Sequence, residues 1–458
     1  MIAKRRMPQR NTDSTQRLAE VYTKLRQISV KAKAEPGLRF TSLAHLLTTD
    51  LLDDSFQRLR KKAAAGVDGV TWWEYECGIV PRLEDLHSRL KDGQYRAQPV
   101  RRVYLEKEGG KRRPLGIPAT EDKVVQRATV TILEAIYEQD FYPCSYGFRP
   151  GRGAHGALDE LARLMYSGKV NYVIDADISS YFDTVVHEHL REFMRRRVAD
   201  PHILQLIGKW LKAGVIDDGQ LLVSQAGTPQ GSVISPLLAN VYLHYVLDEW
   251  WHQEVTPRLR GEAHVIRYAD DGALTFTHEE DALKMMEVLS KRFARFGLAL
   301  HPEKTKLMPF GRCALWQLKK AGRLGSKTGS FDFLGFTHYF GRSLKGSLAY
   351  RIRTMAKRLN GAVKRVTQWC RYNRHLPLRE QWKHLKTVLT GHYNYYGRST
   401  NYDSLKRFYR VVQGVWYKWL RRRSQRKHLS TARYRRILDR YPLPKPQIKV
   451  PVRVFAKP

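Results

Sequence analysis

The spacing of apolar residues predicts helices over much of the chain. Residues 40–62 carry apolar side chains at helical spacing and end before a turn-like Gly-Val-Asp-Gly run. The same spacing predicts a helix soon after residue 118 and another over 201–214, where a glycine provides the stop. Ser235 followed by Pro236 is typical of a helix start, with the serine as N-cap and the proline in the first turn.

Other stretches carry patterns typical of β-strands. Residues 100–118 predict a hairpin, because apolar positions flank a Glu-Gly-Gly-Lys turn and prolines follow. Residues 170–178 predict a strand that enters a core, and residues 263–277 predict two short apolar strands around a central Asp-Asp-Gly. After about residue 350 the pattern is helical, basic and aromatic. We therefore predict an α+β protein with a mostly helical C-terminal third.

The charge of the chain restricts the kind of partner. Among 458 residues, 81 are Lys or Arg and 44 are Asp or Glu, which gives a net charge of +37. A globular chain this basic repels itself unless a polyanion neutralises it, and nucleic acid is the usual polyanion. A purely acidic partner or a small neutral molecule is largely excluded as the main partner.

Cysteines and hydropathy indicate the compartment. The four cysteines lie far apart without a C-x-x-C pair, and the histidines lack metal-ligand spacing, so we predict no zinc and a reducing compartment. No run approaches the roughly 18 apolar residues of a membrane span. The Arg-rich start lacks the apolar core of a secretory signal. We expect a cytoplasmic, bacterial protein associated with nucleoid or ribonucleoprotein, with an organellar protein as the alternative.

Two carboxylate positions carry the predicted chemistry. Asp270 and Asp271 lie in a Tyr-Ala-Asp-Asp turn between the two predicted strands, and Asp177 ends the strand at 170–178. Adjacent carboxylates repel each other unless a cation bridges them, and oxygen-only ligands favour Mg²⁺. One Asp-Asp turn alone is more typical of a solvated loop. Two such positions in a strongly basic chain favour a two-metal site for displacement at phosphorus.

Further blocks of sequence accompany these carboxylates along the chain. The blocks are KRRPLGIP (111–118), SYGFRPGRGAH (145–155), DISSYFD (177–183), GTPQGSVISPLLANVYL (227–243), YADD (268–271), HPEKT (301–305), FDFLGF (331–336) and GHYNYYG (391–397). They resemble the blocks of group II intron reverse transcriptases/maturases and occur in that family's order over about residues 40–419. A single Tyr-Ala-Asp-Asp is a weak signal, whereas the ordered set is specific. The resemblance implies a right-hand polymerase with an antiparallel palm sheet and a helical, basic thumb.

The resemblance implies roles at the catalytic site. Asp177, Asp270 and Asp271 would hold two Mg²⁺ ions, for which Mn²⁺ could substitute, with the carbonyl of Ile178 as a further ligand. Phe182 matches the family residue that excludes a ribose 2′-hydroxyl. An aromatic face against the sugar leaves that hydroxyl neither space nor a hydrogen-bond partner. A core aromatic is the alternative interpretation of Phe182.

Further residues match the family's nucleotide-binding positions. Lys111, Arg112 and Arg113 would contact the triphosphate, since a guanidinium group binds phosphate oxygens in a fork; a solvated basic turn is the alternative. Gln230 would lie beneath the incoming nucleotide. Lys304 matches a proposed proton donor to departing pyrophosphate, with a surface lysine as the alternative.

Two residues that follow Gln230 in the block 227–243 affect how closely the chain can approach the template-primer. Gly231 would allow the backbone to approach it closely. Ser232 departs from the family's second glycine and would add a Cβ near substrate.

The end of the chain is dense in positive charge. The run 421–436 has too many charges to pack, and such clusters beside aromatic residues commonly follow phosphate backbones. A solvated basic face is the alternative. The candidate nucleic-acid contacts are Arg421, Arg422, Arg423, Arg426 and Lys427.

The resemblance implies a chain of five segments. The sequence has no C-x-x-C pair and no histidine after His428, so we do not expect the endonuclease domain that many family members carry. We expect a basic extension (1–40), fingers (41–165), a catalytic palm (166–345), a thumb or maturase domain (346–420) and a basic tail (421–458).

The predicted function is RNA-templated DNA synthesis from a primer. The expected partners are an RNA template, a DNA or RNA primer, a structured group II intron RNA whose splicing or mobility the protein assists, and a DNA target. Two alternatives stay open: a splicing-only RNA-binding maturase, and a reverse transcriptase recruited to phage defence or CRISPR adaptation.

Overall fold

The structure is a computed structural model, and its helices and strands confirm the predicted mixture of α and β. It describes residues 12–106, 112–217, 220–222, 227–228, 231–311, 316, 320, 322, 329–342, 346, 348–424 and 429–450. The chain forms two compact units. The first contains residues 1–152, 178–258 and 287–301, and the second contains 153–177, 259–286 and 302–458.

The helices follow one another along the chain with few long gaps. A 3₁₀ turn at Ala44–Leu46 and π-helical turns at His244–Asp248 and Trp251–Val255 supplement them. In chain order the helices are α1 (Thr12–Ala34), α2 (Thr49–Gln57), α3 (Trp72–Glu76), α4 (Ile79–Lys91), α5 (Thr120–Asp140), α6 (Ala154–Ser167), α7 (Tyr181–Thr184), α8 (His187–Arg195), α9 (Pro201–Lys212), α10 (Ser235–Leu243), α11 (Glu279–Arg295), α12 (Ala356–Tyr372), α13 (Leu378–Tyr396), α14 (Tyr402–Arg421) and α15 (Thr431–Arg440).

The strands form separate sheets in the two units. The first unit has the order β2-β1-β4-β5, and the second has β6-β7-β3-β8 and β11-β10-β9. The strands are β1 (Val100–Glu106), β2 (Arg112–Ile117), β3 (Tyr172–Asp177), β4 (Val215–Asp217), β5 (Gln220–Leu222), β6 (Ala263–Tyr268), β7 (Asp271–Phe276), β8 (Lys306–Pro309), β9 (Phe331–Phe333), β10 (Phe336–Arg342) and β11 (Leu348–Thr354).

Most predicted elements are confirmed, and two differ. The helical pattern at 40–62 gives a 3₁₀ turn and then α2, because the side chain of Thr48 accepts a hydrogen bond from the Leu51 amide and starts a new helix. Ser235 is already helical, and Ile234 occupies the N-cap position of α10. The proline in the first turn still fits, since its missing N–H would have no partner there.

The sheet β6-β7-β3-β8 is antiparallel throughout and lies inside the second unit. Residues 272–276 of β7 are all buried, and β3 is buried over most of its length, which matches their near-continuous apolar sequences. Helix α6 packs against β6 and β11. The sheet therefore gives a rigid support to residues at the end of β3 and the start of β7.

Helices α12 to α15 share one apolar core in the second unit. Tyr434 of α15 and Leu443 beyond it are buried with residues of α12, α13 and α14. The indole of Trp382 donates to the carbonyl of Pro442 at 2.9 Å, and the hydroxyl of Tyr393 donates to that of Pro444 at 3.1 Å. Residues 429–450 thus pack into the same core as residues 356–420, although the sequence placed them in a separate tail.

No helix in the described part of the chain combines the length and apolar character that a membrane span requires.

Candidate active site

The carboxylates predicted at two separate motifs lie side by side on the sheet β6-β7-β3-β8. Asp177, the last residue of β3, is the cross-strand partner of Asp271, the first residue of β7. Directly opposed residues of an antiparallel pair have Cα atoms about 5 Å apart, so the two side chains are close neighbours. Register therefore brings together groups that are far apart in sequence.

A tight turn presents the third carboxylate. Tyr268 pairs with Asp271 across the β6–β7 hairpin, which leaves Ala269 and Asp270 as the connecting residues. Ala269 has a φ of +57°, a left-handed conformation that costs a residue with a side chain on the order of 1 kcal/mol. The sheet on both sides holds this turn, and adjacent aspartates result at its end.

The electrostatics of these carboxylates indicate a deficit of positive charge. Asp271 keeps contact with solvent, yet surrounding protein desolvates its carboxylate, and this effect, followed by Asp270 and Asp177, raises its pKa to about 6. Lys304 and Arg358 oppose the shift more weakly. A carboxylate held beside others in this way favours a bound cation over a proton as soon as one is supplied.

Lys304 partly neutralises the negative charge of these carboxylates. Its ammonium group donates to both carboxylate oxygens of Asp177, at 3.1 and 3.0 Å, and the lysine side chain is 56% exposed. The amide of Asp177 also faces the Thr305 hydroxyl at 3.5 Å. The structure therefore joins the predicted proton donor to a predicted metal ligand through an ion pair, which the sequence did not indicate.

Asp175 is a further acidic residue that sequence reasoning missed. It lies two positions before Asp177, hence on the same face of β3, and pairs across the sheet with Lys306 of β8. Burial, followed by the charges of Asp271 and Asp177, raises its pKa to about 7. The alternation in Val-Ile-Asp-Ala-Asp was the available signal.

The donor set fits a hard divalent cation. Asp177, Asp270 and Asp271 offer only oxygen atoms, as Mg²⁺ prefers, and their mutual repulsion requires a positive charge. Across the described residues, no three His, Cys, Asp or Glu side chains are arranged closely enough to form a finished metal site. The three aspartates thus provide oxygen ligands for such a cation, and in the structure Lys304 forms an ion pair with Asp177.

Two other sequence motifs meet beside this site in the second unit. The hydroxyl of Tyr395, in the GHYNYYG block, donates to the carbonyl of Leu334 in the FDFLGF block at 2.9 Å. The ring of Tyr395 also stacks on Phe336 at 6.0 Å. Its pKa is raised to about 12, chiefly by burial, with Tyr268 and Asp271 among the smaller causes. A residue of α13 therefore lies within electrostatic reach of the carboxylates.

Phe182 and Tyr181 lie on α7 in the first unit and differ in their surroundings. Tyr181 is 2% exposed, and its hydroxyl donates to the carbonyl of Ala239 at 2.6 Å, as expected of a core residue. Phe182 is 9% exposed, and its carbonyl accepts from the Thr228 amide at 2.6 Å. Of the two rings, Phe182 keeps more exposed surface. Ile178, the predicted carbonyl ligand, is buried and forms an isolated antiparallel β-bridge with Leu300.

The turn that carries Gly231 and Ser232 contacts other parts of its own unit. Gly231 has a φ of +109°, and a Cβ there would lie 2.7 Å from the carbonyl oxygen of Gly116. The Ser232 hydroxyl donates to the side-chain oxygen of Gln126 at 2.7 Å, and the Val233 amide donates to the same oxygen at 3.0 Å. Gly231 thus has an intramolecular reason to be glycine. Ser232 is buried and anchored.

The predicted nucleotide-binding cations lie at the start of β2. Arg112 and Arg113 are exposed and pair in register with Glu106 and Leu105 of β1, which confirms the predicted hairpin. Lys111 and Gln230 lie outside the described residues. The hairpin therefore presents adjacent arginines to solvent.

The basic cluster at the end of α14 divides into two kinds of arginine. Arg421 lies over the ring of Tyr417 at 5.6 Å, and Arg422 lies over that of Trp419 at 5.2 Å. The guanidinium of Arg423 instead donates to the carbonyls of Arg374 and Leu376. Arg423 therefore stabilises the connection between α12 and α13.

Two members of the same basic cluster lie outside the described residues: Arg426 and Lys427.

Comparison with known proteins agrees with this geometry. Residues 105–338 match the family described as reverse transcriptase (RNA-dependent DNA polymerase). Protein YkfC of Escherichia coli is 41% identical over 235 residues, which cover 50% of this chain and 61% of that protein. The group II intron-encoded protein LtrA of Lactococcus lactis is 33% identical over 302 residues, covering 63% of this chain and 50% of LtrA.

A third relative is an uncharacterised 91 kDa protein in the cob intron of Schizosaccharomyces pombe, 33% identical over 237 residues, or 51% of this chain and 29% of that protein. The matched region thus spans between about a third and three fifths of these relatives. The family match covers more than half of the chain and includes both carboxylate motifs. The chain belongs to the reverse transcriptase (RNA-dependent DNA polymerase) family.

Proposed function

We propose that the protein is an RNA-directed DNA polymerase that extends a primer with deoxynucleotides. In the reaction the primer 3′-hydroxyl oxygen attacks the α-phosphorus of a dNTP, the bond from that phosphorus to the bridging oxygen breaks, and pyrophosphate leaves. The observation that carries the proposal is the register of β3 and β7, which opposes Asp177 and Asp271. The family match over these strands supports it.

The carboxylates Asp177, Asp270 and Asp271 would hold two Mg²⁺ ions, with the Ile178 carbonyl as a further ligand. When bound, such ions make the hydroxyl more acidic and neutralise charge that develops on the phosphate oxygens. Lys304 must then exchange its contact with Asp177 for another partner. We assign it the delivery of a proton to the departing pyrophosphate.

The remaining predicted residues bind and select the nucleotide. The exposed Arg112 and Arg113, with Lys111, contact the triphosphate, and a guanidinium fork suits that task. By the family resemblance, Gln230 would lie beneath the incoming nucleotide, and the ring of Phe182 would exclude the 2′-hydroxyl. Gly231 lets the turn approach both Gly116 and the template-primer.

The domains follow from the same proposal. Residues 41–165 form the fingers, residues 166–345 the palm that carries the carboxylates, and residues 346–420 the thumb. Residues 1–40 form a basic extension in which helix α1 packs against α2 and α5. The shared apolar core supports extending the thumb to residue 450, so the proposed tail begins as part of the thumb.

We also propose that the protein binds a structured intron RNA, assists its splicing and then uses a DNA target during mobility. LtrA and the cob-intron protein are encoded in introns by name, and the chain carries a charge of +37. A large folded RNA needs a wide basic surface, because recognition depends on phosphate contacts and shape.

Removing the metal tests the catalytic part of the proposal. A labelled DNA primer on an RNA template should be extended with dNTPs and Mg²⁺, and excess EDTA should stop the reaction because Asp177 and Asp271 then lack their cation. Added Mg²⁺ or Mn²⁺ should restore it. Extension that persists in EDTA would contradict the metal-dependent mechanism.

Replacing Phe182 tests sugar selection. Phe182→Ala should raise rNTP incorporation far more than it lowers dNTP use, because it removes the ring surface that blocks a 2′-hydroxyl. Phe182→Tyr keeps the ring and serves as the matched control. The measurement is the ratio of kcat/KM for dNTP and rNTP. An unchanged ratio in the alanine variant would make Phe182 a core residue only.

Salt dependence tests the cations at the end of α14. Deleting residues 421–458 would break the apolar core around Tyr434 and Leu443, so charge neutralisation is the cleaner change. Arg421→Ala/Arg422→Ala should weaken template-primer binding and reduce the slope of log affinity against log salt by about 1 to 2, since each lost phosphate contact removes about 0.7–0.9.

Lys291 offers a control for that measurement, because it is exposed and already paired with Glu287. Lys291→Ala should leave the salt slope unchanged. An unchanged slope in the double arginine variant would place those arginines away from the nucleic acid.

A further inference from the structure

The first unit contains a basic cavity that none of the predicted motifs includes. Its volume is about 1330 Å³, and α8, α9 and the segment 93–99 contribute to its lining. Among the described residues that line it, six are basic and none is Asp or Glu. The six are Arg89, Arg96, Arg191, Arg195, Lys209 and Lys212.

Two of these cations are neutralised or engaged within the fold. Arg89 donates to both carboxylate oxygens of Glu121, at 3.0 and 2.9 Å, and to Asp85 at 2.7 Å. Lys209 donates to the carbonyls of Gly93 and Tyr95. These contacts hold two of the cations against the protein, and the other four cations also line the cavity.

The other four cations have no acidic partner within the part of the chain that the structure describes. Arg191 and Arg195 are four residues apart on α8 and therefore share a face, whereas Lys212 ends α9 and Arg96 belongs to the segment 93–99. Like charges gathered in a concave site repel one another and strengthen attraction for an anion. The cavity thus presents positive charge from more than one wall.

The wall that carries Arg96 is fixed before any ligand arrives. The hydroxyl of Tyr95 donates to the carboxylate of Asp122, and the amide of Gln98 donates to the same group at 3.0 Å. The indole of Trp210 on α9 donates to the Tyr95 hydroxyl at 2.9 Å. A preorganised wall loses little entropy on binding, which favours a ligand-binding surface over a flexible basic loop.

We propose that this cavity binds the phosphodiester backbone of a folded partner RNA, separately from the template-primer. The inference rests on the proposed function as an RNA-dependent enzyme. Tyr95 in the lining is only 1% exposed, so it offers no face for base stacking, and binding depends on phosphate and shape. None of the lining residues belongs to the short sequence blocks quoted for the polymerase resemblance, although residues 191–213 lie within the stretch that matches the reverse transcriptase family. The absence of catalytic and nucleotide-binding candidates from the lining favours a partner RNA over the template.

The test compares how wild type and a variant of the full chain bind three nucleic-acid probes. The variant is Arg96→Ala/Arg191→Ala/Arg195→Ala/Lys212→Ala. The probes are a transfer RNA, as a compact folded RNA, an unstructured RNA template annealed to a DNA primer, and duplex DNA of matched length. Transfer RNA affinity should fall by about tenfold or more at moderate salt, with a shallower salt slope, because phosphate contacts are lost. The KM for template-primer should stay unchanged.

Controls keep the result interpretable. The milder Arg191→Gln/Arg195→Gln variant should show the same selective loss at smaller size, and thermal melting should match wild type for both variants. Arg258→Ala/Lys291→Ala, which removes exposed cations already paired with Glu254 and Glu287, should bind both probes normally.

Three outcomes would overturn the proposal: unchanged transfer RNA affinity, an equal loss for template-primer, or an equal loss for duplex DNA of matched length. If wild type binds transfer RNA but extends no primer, the polymerase proposal fails while the cavity result still stands.

Discussion

Replacing Asp271 by asparagine is expected to reduce primer extension on an RNA template by about a hundredfold or more, because a metal ligand is worth several kcal/mol of transition-state stabilisation. Asp271 opposes Asp177 across the sheet and is already desolvated beside Asp270. An amide in its place keeps the shape but removes the charge that the metal requires. Single-turnover extension in Mg²⁺ measures the loss.

Template-primer binding should survive this substitution, because it changes one charge in a chain with a net charge of +37. Asp177→Asn should behave like Asp271→Asn. Glu280→Gln is a matched control, since Glu280 is an exposed carboxylate of the same unit that pairs with Arg260. If either aspartate variant retains more than a few per cent of wild-type activity while Glu280→Gln behaves normally, the assignment of the carboxylates to metal is wrong.

Polymerisation and RNA assistance are expected to be separable. Asp270→Ala/Asp271→Ala should make no cDNA yet promote splicing of a partner intron as well as wild type does. The carboxylates occupy one small site on the sheet, whereas binding energy for a folded RNA comes from a wide basic surface. Arg421→Ala/Arg422→Ala should instead splice poorly. In vitro splicing at low Mg²⁺, measured beside primer extension, compares the two variants.

Arg423 is left out of that variant because its guanidinium holds the carbonyls of Arg374 and Leu376. Its replacement would test folding instead. If the folded double aspartate variant fails to splice, the two functions share one site. If wild type assists no intron, the protein belongs with reverse transcriptases recruited to other purposes.

The sheet that carries the carboxylates could be predicted because its signals are local. Residues 170–178 have the pattern of a strand that ends at Asp177, and residues 263–277 contain two short apolar stretches around Asp270 and Asp271. These stretches form the neighbouring strands β3, β6 and β7. Once β3 and β7 pair, their register places Asp177 directly opposite Asp271. The family resemblance supplied the pairing that periodicity alone leaves open.

Other features depend on tertiary contacts that no local pattern encodes. The density of charge at 421–436 predicted a segment too charged to pack, yet Tyr434 enters the core of α12 to α14 while Arg433, Arg435 and Arg436 stay exposed. Arg423 resembles its neighbours in sequence, but its guanidinium donates to carbonyls of the segment that connects α12 and α13. Gly231 was assigned to substrate approach, whereas its nearest obstacle is the backbone at Gly116. In each case a distant segment decides the role.

Sequencing the DNA made on an RNA template of defined sequence tests the central claim most directly. Wild type, with Mg²⁺, dNTPs and an annealed primer, should produce a DNA strand complementary to the template, and Asp177→Asn should produce none while binding the same template-primer. A complementary strand made equally well by Asp177→Asn, or no complementary DNA from wild type, would contradict the account.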